Sequence, residues 1–271
     1  MGRVMADNLY YVYAVVSPTT AIEVAPAGID GHAVTLLASG DVAALVSRVD
    51  APTYGEGLDE RVADVAWIAP RATAHDAVLT WAGDVGAVVP LPILSLFRSE
   101  EAVRAMLTAR HDELVALLTY VSRGREYGVR IFRLDDELGR SLGSFSPRVA
   151  MLEAEVAGAK SPGQGYLLGR KLDQARKDEL RAVAAEVATV AYNDLAARSI
   201  GSTQDALPKA SAEQTGAAVL NASFLVAHDR INEFRAAVTE LVRAHERRGF
   251  RVEFTGPWPP YHFTRENTDV R

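Results

Sequence analysis

At 271 residues, 24% charged and 48% hydrophobic, the chain has the composition of a soluble globular protein with room for one large or two ordinary domains. Its net charge of -6 and pI near 5.6 argue against a nucleic-acid binder, which would show a basic face. The absence of cysteine excludes disulfides, thiol catalysis and cysteine-ligated zinc, and it fits a reducing cytoplasm.

Residues 1–8 have the pattern of neither a signal peptide nor a membrane anchor. No stretch approaches the ~18 apolar residues of a spanning helix. Leu9 to Val16 (LYYVYAVV), rich in aromatic and branched residues, predicts a central strand. A turn at Gly28 to Gly31, a strand over Ala33 to Leu37 and a hairpin partner over Val42 to Val49 follow, then a loop from Ala51 to Gly57. Leu58 to Ile68 reads as helix, broken or kinked at Pro70, and helical spacing resumes from Arg71 to Ala82 with His75 and Val78 on its apolar face. Ala87 to Phe97 predicts one strand. Ser99, an N-cap followed by Glu100 and Glu101, opens a helix whose apolar period continues to Gly124.

A domain boundary is placed before Arg125, giving residues 1–124 and 125–271. The second part opens with an alternating strand to Leu134 and a turn at Asp135-Asp136-Glu137. A short helix runs from Ser146-Pro147 to Ala157. Ser161-Pro162-Gly163-Gln164 then forms a capping box for a helix reaching about Ser199. Ile200 to Gly216 reads as loop, Val219 to Val226 as strand, and Asp229 as the cap of a helix ended by Gly249. Phe250, Val252 and Phe254 form one face of a last strand, which Gly256-Pro257 should end. The expected class is therefore α+β: an N-terminal mixed unit and a C-terminal modified ferredoxin-like domain with a long helical insert.

Sequence signals for chemistry are weak. None of the six histidines sits in a metal-binding spacing. His75-Asp76 and His111-Asp112 are chain neighbours, which do not face each other on a helix. Gly163-x-Gly165-x-x-x-Gly169 follows no strand and reads as a helix start rather than a phosphate cradle. Asp135-Asp136-Glu137 reads as solvated acids rather than a cation site, and Arg247-Arg248 with Arg251 as cations suited to a helix end. No catalytic, cofactor-binding or metal residue is predicted. An alternative, a ligand-binding or enzymatic protein on a ferredoxin-like scaffold, would draw on His75, Glu126 and Arg170.

The most distinctive stretch is Gly256-Pro257-Trp258-Pro259-Pro260-Tyr261-His262-Phe263. It resembles the GPWPPYSF signature of the gas vesicle GvpF/GvpL family, with His262 for the usual Ser. Further likenesses are Tyr11, Tyr13, Val15 and Val16 to an opening "YxYgvv" strand, and Gly40 to Ser47 to "gdlaAvvs". His75 falls at an "H..vl" pattern, and Glu126, Gly128, Val129 and Arg130 at "E.gvk". Gly165 to Lys171 resembles "aYLxxk", and Asn221 with Phe224-Leu225-Val226 resembles "nlaYLV". Ala87 to Phe97 resembles "VlPlrFGt" but lacks its glycine. The resemblance implies a cytoplasmic, non-enzymatic accessory protein, without cofactor, at the surface of the buoyancy organelle. It would assist nucleation or growth of the shell by binding the small hydrophobic shell subunit, alongside other accessory proteins and without nucleic acid or membrane. Trp258, Pro259, Pro260, Tyr261 and Phe263 are the candidate protein-interaction residues, since a proline-stiffened arm carrying aromatics anchors well on another surface.

Overall fold

The computed structural model describes residues 8–208 and 216–264, in two compact units. The first comprises residues 8–126 together with 257–264; the second is the intervening Tyr127–Gly256. The sequence places everything after residue 124 together, whereas the C-terminal arm packs with the first unit.

In the first unit, β1 (Asn8–Val16) lies between β3 (Val42–Asp50) and β4 (Val88–Pro90), with β2 (Thr35–Ser39) outside β3 and β5 (Leu96–Phe97) also pairing with β1. All these pairings are antiparallel. Both faces are buried, which is why β1 and β3 read as nearly continuous apolar runs. Tyr11, Ala43 and Leu45 pack with Val78 and Leu79 of α3 (Val65–Val85). Val12, Val42, Ala44 and Val46 pack with Val103 and Leu107 of α4 (Glu100–Ala109) and Leu114 of α5 (His111–Val121), in the numbering that counts α1 (Ala51–Tyr54) and α2 (Leu58–Val62) first. The register against β3 slips between Val12 and Ala14. This bulge at Tyr13 puts Tyr13 and Ala14 in the same cluster as Tyr11 and Val16, while Val12 and Val15 face the other way.

Several boundaries differ from the expected ones for local reasons. Ala51–Tyr54 is helical rather than loop because the Asp50 side chain accepts from Thr53 N and Pro52 sits in the first turn. The helix break falls at Ala63-Asp64, where Asp64 caps Ala66 N, and α3 runs through Pro70. The helix expected from Ser99 to Gly124 is two helices, α4 and α5, parted at Arg110 (φ -108, ψ 16). Val103, Leu107 and Leu114 stay in step across that break, so periodicity does not reveal it. Between β4 and β5, Leu94 takes a left-handed φ of 65. Counting from Pro90, Leu94 is the residue that stands where the "VlPlrFGt" pattern has glycine.

The second unit holds a four-stranded sheet in the order β7-β8-β6-β9: β7 (Gly201–Gln204), β8 (Ala217–Ala227), β6 (Gly124–Arg133) and β9 (Phe250–Trp258). One face is apolar. Val129, Ile131, Leu220, Phe224 and Phe250 pack with Val183, Val187 and Ala191 of α8 (Pro162–Ala196) and with Phe234 and Val238 of α9 (Ile231–His245). The N-terminal part of α8 instead packs through Leu172 and Ala175 with α6 (Asp135–Phe145) and α7 (Pro147–Ala157). Asp135-Asp136-Glu137 is thus the first turn of α6 rather than a connecting turn, with the acids at the positive end of the helix dipole. The predicted cap of α8 forms: Ser161 Oγ accepts from Gln164 N, and Gln164 Oε1 reaches back to Lys160 N. β7 lies in the stretch read as loop. A 3-10 turn, His228–Arg230, precedes α9, whose N-cap is Arg230 rather than Asp229. β9 continues through Gly256 and Pro257 to Trp258.

Candidate functional site

Pro259 and Pro260, the stiff part of the arm, are buried, and Trp258 before them is 44% exposed. Two close backbone bonds, Tyr261 N to Pro259 O (2.7 Å) and Phe263 N to Pro260 O (3.2 Å), curl the chain, and Thr264 Oγ1 donates to Pro260 O. Tyr261 then packs with the core around Tyr11, and its hydroxyl donates to Asp76 Oδ1 at 2.7 Å. Burial, reinforced by the Asp76 carboxylate, pushes the Tyr261 hydroxyl far above its usual titration range. Phe263 is partly buried. Of the five candidate interaction residues, Trp258 alone is strongly exposed; Pro259 and Pro260 are buried, Tyr261 packs into the core of its own unit, and Phe263 is partly buried.

The main fastening is Glu126, 2% exposed. Its Oε2 accepts from His262 N at 3.0 Å and its Oε1 is 2.6 Å from His262 Nδ1. A buried carboxylate requires compensation, and one residue provides it with both backbone and side chain. Two stretches recognised separately in the sequence, the "E.gvk"-like start of β6 and the aromatic arm, meet here. Neither Asp76 nor Glu126 stands out in sequence as an anchor. The one available signal was an acid beside an apolar alternating strand.

A second polar cluster lies inside the first unit. Leu94 N donates to Tyr11 Oη, which lies 2.8 Å from His75 Nδ1, and the ring also bonds the Leu91 backbone. Tyr11 and His75 thereby pin both ends of the turn containing left-handed Leu94. Burial drives the His75 pKa down to about 4, so the ring is neutral at physiological pH. Tyr13 Oη donates to Ser47 Oγ and accepts from Ile29 N, both at 2.9 Å. Gly28 passes so close that an added Cβ would lie 2.1 Å from Tyr13 Oη. Arg71 stacks on Trp67 (3.8 Å) and donates to Tyr54 Oη and Asp30 Oδ2.

These groups spend their polar atoms on one another. His75 and Glu126, two of the three residues the ligand-binding alternative would need, are engaged by Tyr11 and His262, and Arg170 is an exposed residue of the other unit. Among the described residues no group of three or more His, Asp or Glu could hold a metal ion, and no helix is long and apolar enough to cross a membrane.

The fold and the arm define a two-unit α+β protein whose most distinctive surface feature is a tethered aromatic. Residues 9–265 match the family model described as gas vesicle synthesis protein GvpL/GvpF, and the chain belongs to that family. It is 32% identical over 270 residues to gas vesicle protein L of Streptomyces sp. (strain CB03234), covering 95% of this chain and 93% of that one. Gas vesicle protein F of the same strain is 28% identical over 93% of this chain and 98% of its own. The crystal structure of GvpF from Anabaena sp. PCC7120 superposes with a TM-score of 0.68 at 17% identity, covering 96% of this chain and 97% of that one. GvpF from Microcystis aeruginosa gives 0.66 at 18%, covering 95% and 99%.

Proposed function

We propose that this protein is a cytoplasmic, non-enzymatic accessory factor of gas vesicle assembly that binds the small hydrophobic shell subunit and stays at the vesicle surface. The observation that carries this reading is the family match along nearly the whole chain. A shell subunit before assembly exposes apolar area and strand edges that invite wrong pairing, and a partner that covers them would keep it competent. Trp258, on edge strand β9 and held by the buried Pro259-Pro260 and by Tyr261 and His262, is the docking anchor in this reading. The second unit acts as the ferredoxin-like scaffold for that edge; its strand order β7-β8-β6-β9 and its βα-ββ-αβ succession support the assignment.

Capture of the purified shell subunit on the immobilised full chain tests the proposal. Trp258→Ala should weaken capture about tenfold or more while the circular dichroism spectrum remains that of the wild type. Failure of the wild-type chain to capture the subunit, together with normal vesicles after deletion of the gene, would reject the reading.

A further inference from the structure

The first turns of α8 carry an apolar stripe that its packing does not use. Leu172 and Ala175 face α6 and α7. Gly163, Tyr166, Leu167 and Arg170 recur at i, i+3, i+4 and i+7 on the opposite side. Tyr166 is 66% and Leu167 63% exposed, and nothing lies within 4 Å of where a Cβ on Gly163 would be. Between Glu155 and Asp173 there is no acidic residue but there are three exposed cations, Lys160, Arg170 and Lys171, with Asp173 following one turn beyond Arg170. Among the described residues neither Arg170 nor Lys171 takes part in an ion pair. On a chain of net charge -6 this is a local inversion of sign.

The first unit carries the complementary surface. At the junction of α2 and α3, residues 56–66 hold four acids, Glu56, Asp59, Glu60 and Asp64, against the single cation Arg61. Beside them Val62 is 38% and Val65 74% exposed. Asp59 and Glu60 are exposed and unpaired among the described residues. One patch is therefore apolar with a basic rim and the other apolar with an acidic rim.

We propose that these two surfaces bind each other between copies of the chain, the start of α8 from one molecule docking on the α2–α3 junction of the next. The two patches differ, so each copy carries both halves of the contact, and α8 of one molecule pairs with the α2–α3 junction of another. Apolar centres supply affinity and the rims supply orientation and salt dependence. The inference is independent of any shell-subunit contact, because Trp258 takes no part in it.

Sedimentation velocity of the full chain tests this over a concentration series. The weight-average mass should rise with concentration in 0.1 M salt. The apparent affinity should fall by about tenfold in 1 M salt, where the screening length shrinks from about 10 Å to about 3 Å. Tyr166→Ser with Leu167→Ser should remain monomeric. So should Arg170→Glu with Lys171→Glu, and separately Asp59→Lys with Glu60→Lys, each with a wild-type circular dichroism spectrum and melting temperature. Mixing the two charge-reversed proteins should restore association, since each then carries the rim the other needs. A wild-type chain that stays monomeric throughout, or reversed variants that associate as the wild type does, would overturn the proposal. Binding of the α8 start to anionic lipid vesicles without self-association would overturn it too, by assigning the surface to a membrane.

Discussion

His75 makes the stability of the first unit depend on pH in a way that one substitution can isolate. Its pKa falls from the ordinary 6.5 to about 4 because the ring is buried against Tyr11 and Tyr13. Each pH step of displacement is worth about 1.4 kcal/mol, so roughly 3 kcal/mol of stability is conditional on a neutral ring. The unfolded chain binds this proton more readily than the folded one. The contribution is therefore complete above about pH 6.5 and is lost progressively as pH falls toward 4. Another histidine, His245, is lowered in the same direction, so total pH dependence is not diagnostic. Comparison with His75→Gln is: the variant should be less stable than wild type by about 1–3 kcal/mol at pH 7.5, from weakened packing and hydrogen bonding. Its deficit should shrink or reverse by pH 4.5. Trp67 and Trp81 lie in the first unit and Trp258 ends β9 of the second unit's sheet, so urea unfolding followed by tryptophan fluorescence, with both proteins in a Trp258→Phe background, reports on the first unit. Parallel stability curves for the two proteins between pH 7.5 and 4.5, or a native-state NMR titration of His75 near 6.5, would refute the reasoning.

Five other substitutions, at four positions, probe the same unit. Glu126→Ala leaves the arm without its acceptor and should destabilise by about 1–3 kcal/mol, with residues 257–264 gaining rapid hydrogen exchange. His262→Ser should lose under about 1.5 kcal/mol by urea unfolding, because its backbone N–H still donates to Oε2 and the new hydroxyl can reach Oε1. Leu94→Val, which sets a branched side chain at φ 65, should lower stability by about 1–2 kcal/mol. Leu94→Gly should stay within about 1 kcal/mol of wild type by calorimetry, because relief of strain offsets lost packing. Gly28→Ala should lower the melting temperature by an amount corresponding to about 1–3 kcal/mol, since its methyl would overlap the Tyr13 hydroxyl.

What the sequence reveals and what it hides both have local causes. β1 and β3 are legible because both their faces are buried, and α8 because Ser161, Pro162 and Gln164 spell its start. The Tyr13 bulge is hidden because a strand apolar on both faces carries no alternation for a slip to disturb. The Arg110 break is hidden because it leaves the apolar period in phase and uses neither Gly nor Pro. β7 is missed because Gly201-Ser202-Thr203-Gln204 has no strand composition; pairing with β8 makes it a strand. At the candidate site the arm is recognisable from its residues, but its anchorage is not. Glu126 and His262 lie 136 residues apart, and no local pattern links them.

That separation has a consequence for how the molecule is made. Everything between the two halves of the clasp must leave the ribosome before it can shut. At synthesis rates of about 5–20 residues per second, the wait is on the order of ten seconds. Throughout it Glu126 lacks the group that offsets its charge, so the earlier-made unit stays provisional until His262 arrives. The turn at residues 259–264 therefore latches a unit whose other parts were made long before, and a product cut short before His262 would lack that latch.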